Sequence, residues 1–211
     1  VGVDTLRPTY PWSVKPDSPV SVEQLRAINR DHYEGTPFDL TKGMASGPFG
    51  SPNRLDGGTR FFPQPEGAWE RPIAMYRTSY SLVIAPAFEK GAGVLWYAPQ
   101  NPHASVYVPF FQSAAGHPDA VPASYSSGTQ DAFSFLTVAE TKTAWWAALH
   151  VMNWMDRMYS FMAGDVQEAQ QKLESDSDSL VRDAPTILAA LGAKNDDNAV
   201  RSLLADLSAD R

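Results

Sequence analysis

Apolar residues recur in three different spacings along the chain, and each spacing predicts a different element. Early on, Ser21 and Gln24 stand three apart. That is the pattern of a capping box, in which each side chain satisfies an orphan backbone N–H. Val20 and Leu25 flank it as a hydrophobic staple, so a helix is predicted from Val22 to about His32, ending before Gly35. Its apolar positions Val22, Leu25 and Ile28 define one narrow face. From residue 73 to 88 the period shortens to two, with Tyr76, Thr78, Tyr80, Leu82 and Ile84 on one face. This predicts a strand, and runs at 94–98 and 105–111, rich in β-branched and aromatic residues, predict two more. Residues 89–93 read as a hairpin loop and 99–104 as the next turn. Three sequential antiparallel strands form a meander, and a sheet that small needs a layer packed on it. From Thr137 or Val138 the period lengthens again. Trp145, Leu149, Met152, Met155, Met158, Tyr159 and Met162 recur at threes and fours, which predicts a long helix with a broad aromatic and sulfur-rich stripe. Gly164-Asp165 is a candidate interruption. Shorter helices are expected over 178–191 and 196–207, separated by 192–195.

Between the first helix and the first strand lies a Gly- and Pro-punctuated stretch, residues 34–72. Loops this long are usually functional or disordered. Phe38, Leu40, Met44, Phe49, Phe61 and Phe62 argue for an ordered one, because a solvated linker would not carry them. Proline divides the chain in the same way: only Pro185 of the 17 lies beyond residue 130. We therefore expect an α+β protein. Residues 1–135 would hold the first helix, the Gly/Pro-rich segment and the antiparallel strands, and 136–211 a helical region packed on the sheet.

Composition narrows the chemistry. The 211 residues carry a net charge of −7 and no cysteine. Zero cysteine removes disulfides, thiolate–zinc sites and any cysteine nucleophile within these residues. The acidic balance argues against a general nucleic-acid binder, which needs a basic footprint. No apolar run reaches membrane-spanning length, so neither nucleic acid nor membrane is expected as a partner. No metal site and no cofactor are predicted. Gly35, Gly43, Gly47 and Gly50 do not fit a dinucleotide or P-loop fingerprint, and the Met and Trp stripe suits core packing better than a cofactor pocket. Compartment is unreadable: cytoplasmic, cell-surface and secreted all stand.

Two places hold candidate chemistry. Asp31-His32-Tyr33-Glu34 packs four polar groups at a helix end. They are either an acid/base or metal cluster, though the spacing is poor for helix-borne ligands, or a helix C-terminus whose His satisfies terminal carbonyls. Arg77 falls mid-strand in the alternating pattern, where a guanidinium is costly to bury unless paired. It reads equally as a structural ion pair, an edge-strand residue or an anchor for a carboxylate. His103, His117 and His150 are scattered and carry no local catalytic signature.

The segment from Asp31 through His-Tyr-Glu-Gly-Thr-Pro-Phe-Asp-Leu-Thr-Lys to Gly43, running into Gly47-Pro-Phe-Gly-Ser-Pro-Asn-Arg54, resembles bacterial cysteine dipeptidases, which are N-terminal-nucleophile (Ntn) hydrolases. Ser13 to Asp17, Arg77 to Ser81, Gly93 to Ala98, Ser105 to Phe111 and the aromatic helix through Val166 resemble the same family in the same order. The resemblance spans roughly residues 10–175. It implies a four-layer αββα sandwich, of which these residues would be a part. It also implies hydrolysis of dipeptide amide bonds by a cysteine that becomes the first residue after processing, with its own α-amine as general base. This chain departs from that pattern by having no cysteine and by starting with Val1. We therefore expect a later portion of such an enzyme, a processed product or an expressed fragment, inactive alone. The nucleophile would come from an N-terminal portion of the same protein, a missing sheet docking on an incomplete face. Arg77 resembles the strand arginine that related Ntn amidases place near the catalytic cysteine, and it is expected to orient nucleophile or substrate. Glu34, Asp39 and Asn53 are expected to line the dipeptide site, with Glu34 or Asp39 facing the substrate ammonium. A homo-oligomer is compatible with all of this. The alternatives are an Ntn amidase acting on N-acyl amides and a non-catalytic binding or scaffold relative.

Overall fold

A computed structural model describes residues 11–53, 71–86, 93–112, Tyr125 and 143–192, with side chains as far as residue 186. Its elements are helix α1 (Val22–Asn29), a 3-10 turn (Met44–Ser46), strands β1 (Tyr80–Ala85), β2 (Val94–Pro99) and β3 (Val108–Phe111), and a long helix α2 (Ala144–Gly192). The protein is α+β, as expected. The predicted helix start at 137–138, most of the loop at 89–93, the helix at 196–207, and His117 lie outside the described residues.

α1 begins at the predicted place and for the predicted reason. The Ser21 hydroxyl accepts from the Gln24 amide, and the Gln24 side chain accepts from the Ser21 amide. It ends three residues earlier than expected, because the Asp31 carboxylate accepts the Tyr33 amide at 2.6 Å and turns the chain away. The face it buries is also not the predicted one. Leu25 and Ile28 are 39% and 47% exposed, whereas Arg26 is 2% exposed. The helix turns its guanidinium groups inward.

The strands form the expected antiparallel meander in the order β1-β2-β3. Val83 lies opposite Trp96, which lies opposite Pro109, and Ile84 opposite Leu95, which lies opposite Phe110. Side chains alternate across the sheet, so Val83, Val94, Trp96, Ala98 and Phe111 share the covered face. There they pack with Ala184, Leu180 and Val181 of α2 and with Val22 of α1. The strand predicted over 73–88 forms only from Tyr80. Upstream, the Ala74 amide bonds to the Asp31 carbonyl and the Thr78 amide to that of Met75, so residues 75–78 make a turn. Arg77 therefore stands exposed on that turn rather than mid-strand. The strand predicted over 105–111 is shorter too. Its first backbone groups bond to side chains instead of to a strand: the Ser105 carbonyl to Arg30 and Gln170, the Tyr107 amide to Glu174.

α2 runs unbroken through Gly164, and its one departure from helical geometry is at Met158 (φ −137°, ψ 39°). Residues 178–191 continue it rather than forming a separate helix. Its buried stripe changes character along its length. Met152, Met155 and Tyr159 pack with Ala104 at one end and Ala184 packs on the sheet at the other, while Gln170, Glu174 and Ser177 are buried between them. Among the described residues no helix is long and apolar enough to cross a membrane.

Candidate active site

The loop joining β2 to β3 is almost wholly buried, which is unusual because buried loop backbone must find hydrogen-bond partners. Arg30 and Gln170 supply them. Arg30 donates to the Pro102 and Ser105 carbonyls, and the Gln170 amide donates to those of Pro102, His103 and Ser105. Arg30 also forms a two-pronged pair with Glu174, at 3.0 and 2.5 Å. Arg26 pairs with Asp178 at 2.6 Å and stacks on Trp96, with its guanidinium carbon 4.6 Å from the ring centre.

The motif at residues 31–34 folds against the same loop. His32 is buried. Its Nδ1 lies 3.0 Å from Glu34 Oε1, and its Nε2 lies 3.0 Å from Nδ1 of the buried His103. The other Glu34 oxygen accepts the His32 amide at 2.7 Å. With Glu34 ionised, His32 donates from Nδ1, and His103 Nδ1–H then donates to His32 Nε2. The hydrogen bonds from His32 overcome the effect of burial and hold the Glu34 pKa down to about 2. Burial, with the neighbouring His32, holds His103 down to about 3. Tyr159 packs edge-on to both rings, and burial with the Glu34 charge raises its phenol. This turn requires Tyr33 at φ +65°, a conformation rare for an aromatic residue. The Tyr33 hydroxyl secures it by donating to the Arg71 carbonyl at 2.7 Å. The helix-cap reading of the motif fails, since the His32 ring bonds to Glu34 and His103 rather than to carbonyls of α1; of the expected acid/base group, His32 and Glu34 come together, with His103 joining from a distant loop. Among the described residues no group of three His, Asp or Glu side chains is arranged to hold a metal.

Residues 43–53 wrap the outside of α2. Gly50 (φ +62°) approaches so closely that a Cβ there would lie 3.2 Å from the Thr41 carbonyl oxygen and 3.8 Å from Ser160 Cβ. Beside it the Phe49 carbonyl accepts the Ser160 amide at 2.9 Å. A loop carbonyl entering a helix ladder is a recognised cause of kinks, and here it accompanies the departure at Met158. Asn53 Nδ2 donates to Asp156 Oδ1 at 2.5 Å. Between this wall and α2 lies a pocket of about 430 Å³, lined among others by Ser46, Phe49, Asn53, Tyr76, Asp156 and Arg157. Burial raises the Asp156 pKa, against the opposing effects of the Asn53 hydrogen bond and the Arg157 charge.

The expected site residues are dispersed around this architecture. Asn53 lines the pocket. Arg77 is next to it in sequence through Tyr76, over whose ring its guanidinium carbon sits at 5.5 Å. Glu34 is engaged by His32. Asp39 organises its own loop, accepting from the Thr41 amide and hydroxyl and from the Gly35 amide. His103 shows no catalytic signature in the sequence, and nothing there singles out Asp156. Each is joined to its partner across a long separation, 71 residues for His32–His103 and 103 for Asn53–Asp156, and no local pattern encodes that.

Among the described residues, the sheet face opposite the helices is apolar and partly exposed. Tyr80, Leu82 and Ile84 are 58%, 42% and 66% exposed. Tyr97, Phe110 and Tyr125 form an aromatic cluster with centroids 5.5–6.3 Å apart. They line a groove of about 610 Å³ with Ile84 and Leu95.

Comparison with known proteins agrees with the motif reading. A stretch of 107 residues is 30% identical to a protein of Salmonella dublin described as a probable dipeptidase, covering 49% of this chain and 20% of that protein. The chain thus spans about a fifth of the length of the curated relative it matches. No solved structure matches. The model of peptidase family C69 matches residues 3–172, which covers the first helix, the Gly-rich wall, the sheet and the pocket-forming half of α2, and the chain belongs to that family.

Proposed function

We propose that these residues form part of a cysteine-dependent dipeptidase whose nucleophile lies on a segment outside them. The observation that carries this reading is the two-sided character of the sheet. One face is closed by helices, whereas the other exposes large apolar side chains of the kind that bury a further layer. In a peptidase-family chain without cysteine, a second sheet packed there completes an αββα sandwich and brings the sulfur. The Salmonella relative, a probable dipeptidase, supports the substrate class.

The reaction is amide hydrolysis in two steps. The α-amine of the N-terminal cysteine takes the thiol proton, and the sulfur attacks the dipeptide carbonyl carbon. The C–N bond breaks as that proton passes to the leaving amine, leaving a thioester. Water then attacks the thioester, releases the first amino acid and restores the thiol. In this reading Arg77 orients the nucleophile or the substrate carboxylate from its turn beside Tyr76, and Asn53 belongs to the binding wall.

The test is hydrolysis of a dipeptide panel by the whole protein, with and without iodoacetamide. Cleavage that needs a free ammonium and stops on alkylation of an N-terminal cysteine supports the proposal. Preference for long N-acyl groups assigns an amidase instead, and no cleavage of either class assigns a binding relative. Arg77→Ala should lower kcat/KM by at least tenfold, and full activity in that variant removes its role.

A further inference from the structure

We propose that Asp156 receives a primary ammonium group, the α-amino end of a small zwitterionic ligand seated in the pocket between the Gly-rich wall and α2. The proposal rests on the dipeptidase reading and deepens it by naming the group that would recognise the substrate's free amine.

Four carboxylates lie in or against residues 31–53. One of them, Asp31, holds the turn by accepting the Tyr33 amide at 2.6 Å and lines a separate cavity beside Arg26 and Arg30, which leaves three to compete for that role. Glu34 uses both oxygens on His32, one on the ring and one on the amide. Asp39 uses both on its own loop, at Thr41 and Gly35. Asp156 is differently placed. It lines the pocket, one oxygen is fixed by Asn53, and among the described residues no lysine or arginine forms a salt bridge with it. A half-buried carboxylate has lost part of its hydration, so it gains more from an incoming cation than an exposed one does.

Asn53 shows the arrangement is built. Its amide must face Asp156 with the NH₂ group, because an ionised carboxylate only accepts. That orientation leaves Asn53 Oδ1 buried without a partner. Positioning the carboxylate is therefore kept despite an unsatisfied oxygen, a cost that packing alone does not explain.

The remaining lining matches a zwitterion. Arg157, the next residue on α2, is exposed and lines the same pocket, so it offers the charge that a carboxylate end requires. Phe49 and Tyr76 provide apolar wall. At about 430 Å³ the pocket sits toward the lower end of the range for small-ligand sites. A bare metal fits poorly, as among the described residues no three His, Asp or Glu side chains are grouped to hold one, and an anion would meet the carboxylate.

A primary ammonium has two sources, the α-amine of a dipeptide or a lysine side chain, and the test separates them. The whole protein, its Asp156→Asn variant and its Asp156→Glu variant are assayed with alanyl-alanine, N-acetyl-alanyl-alanine and N-acetyl-lysyl-alanine. For Asp156→Asn, KM for alanyl-alanine should rise about tenfold to a hundredfold, the worth of a hydrogen bond to a charged group, with kcat within about threefold. The acid limb of kcat/KM that belongs to Asp156 should disappear from the pH profile. If the parent enzyme cleaves alanyl-alanine while Asp156→Asn keeps its KM and pH profile, this proposal falls and the dipeptidase reading stands. Equal use of N-acetyl-lysyl-alanine overturns the α-amino assignment. If the parent protein cleaves no dipeptide, the dipeptidase reading falls, and thermal stabilisation by free L-alanine decides the pocket. Stabilisation lost in Asp156→Asn upholds the carboxylate's role, and no stabilisation of the parent ends it. Should Asp156→Asn fail to fold, Asp156→Glu keeps the charge but moves it by one methylene, and an unchanged KM there counts against the proposal.

Discussion

Beneath the buried loop that joins β2 to β3, an arginine seam and a histidine seam lie side by side. The first consists of Arg26 on α1 and Arg30 at its C-terminal end, facing Glu174 and Asp178 on α2. The second consists of Glu34, His32 and His103. The guanidinium groups of the arginine seam stay charged at any ordinary pH, and its acid-sensitive members are the carboxylates, of which burial pushes Asp178 above its ordinary value. The histidine seam is held by one exposed carboxylate and two imidazoles, and the inner imidazole stays neutral because burial opposes its charge. Between pH 6.5 and 5 the arginine seam should therefore fail when a partner is removed, and the histidine seam when protons are added.

The largest effect should come from Glu174→Ala. It leaves two guanidinium groups with a lost partner and orphans the Tyr107 amide, so we expect a loss of about 3–5 kcal/mol in chemical denaturation. Glu174→Gln, which keeps an acceptor for Tyr107, should lose less. A cost under about 1 kcal/mol for the alanine variant would mean the seam contributes little cohesion.

Acid should act on the histidine seam. The folded His103 pKa of about 3 lies below its ordinary 6.5, so the unfolded chain binds that proton first and stability falls with pH from about 6.5 downward until the folded pKa is passed. Between pH 6.5 and 5 the loss from this residue should reach up to about 2 kcal/mol. Glu34, held down to about 2 from 4.5, has the same sign: its contribution is complete above 4.5 and is lost as pH falls toward 2. The check is the urea midpoint against pH for the parent protein and His103→Gln. The seam assignment fails if both show the same slope from pH 6.5 to 5.

Two substitutions outside the seams calibrate the comparison. Gly50→Ala forces a side chain into a left-handed backbone and against the Thr41 carbonyl, which should cost about 1–2 kcal/mol in melting experiments. Ser21→Ala removes half of the capping box and should cost about 1 kcal/mol. Because that cap lies at the start of the helix bearing Arg26, away from the histidines, the slope between pH 6.5 and 5 should not move, although in stronger acid the substitution also removes the Ser21 hydrogen bond that lowers the Glu23 pKa. A changed slope would show the two seams to be coupled.

Elements governed by neighbours in sequence were legible in it. The capping box, β2 and the aromatic half of α2 all follow from local spacing, and the motif at 31–54 marked the family. The errors arise where distant groups intervene. Leu25 and Ile28 suggested the inward face of α1, but Glu174 and Asp178, some 150 positions later, offer the arginines a buried partner, and the helix rotates accordingly. The alternation at 73–79 looked like strand, yet the Asp31 carbonyl captures the Ala74 amide and bends the chain. That is why Arg77 sits on a turn. The pairing of His32 with His103 and of Asn53 with Asp156 depends on tertiary geometry that no periodicity records.

The hydrogen bond from Ser160 to Phe49 ties the fate of a mid-helix amide to a surface wrap. Inside an ordinary helix that proton would exchange with solvent only when the helix itself opened. Here it should exchange whenever residues 43–53 lift away, while amides a turn to either side stay protected. A single resolved resonance would thus serve as a built-in gauge of whether the pocket wall is seated.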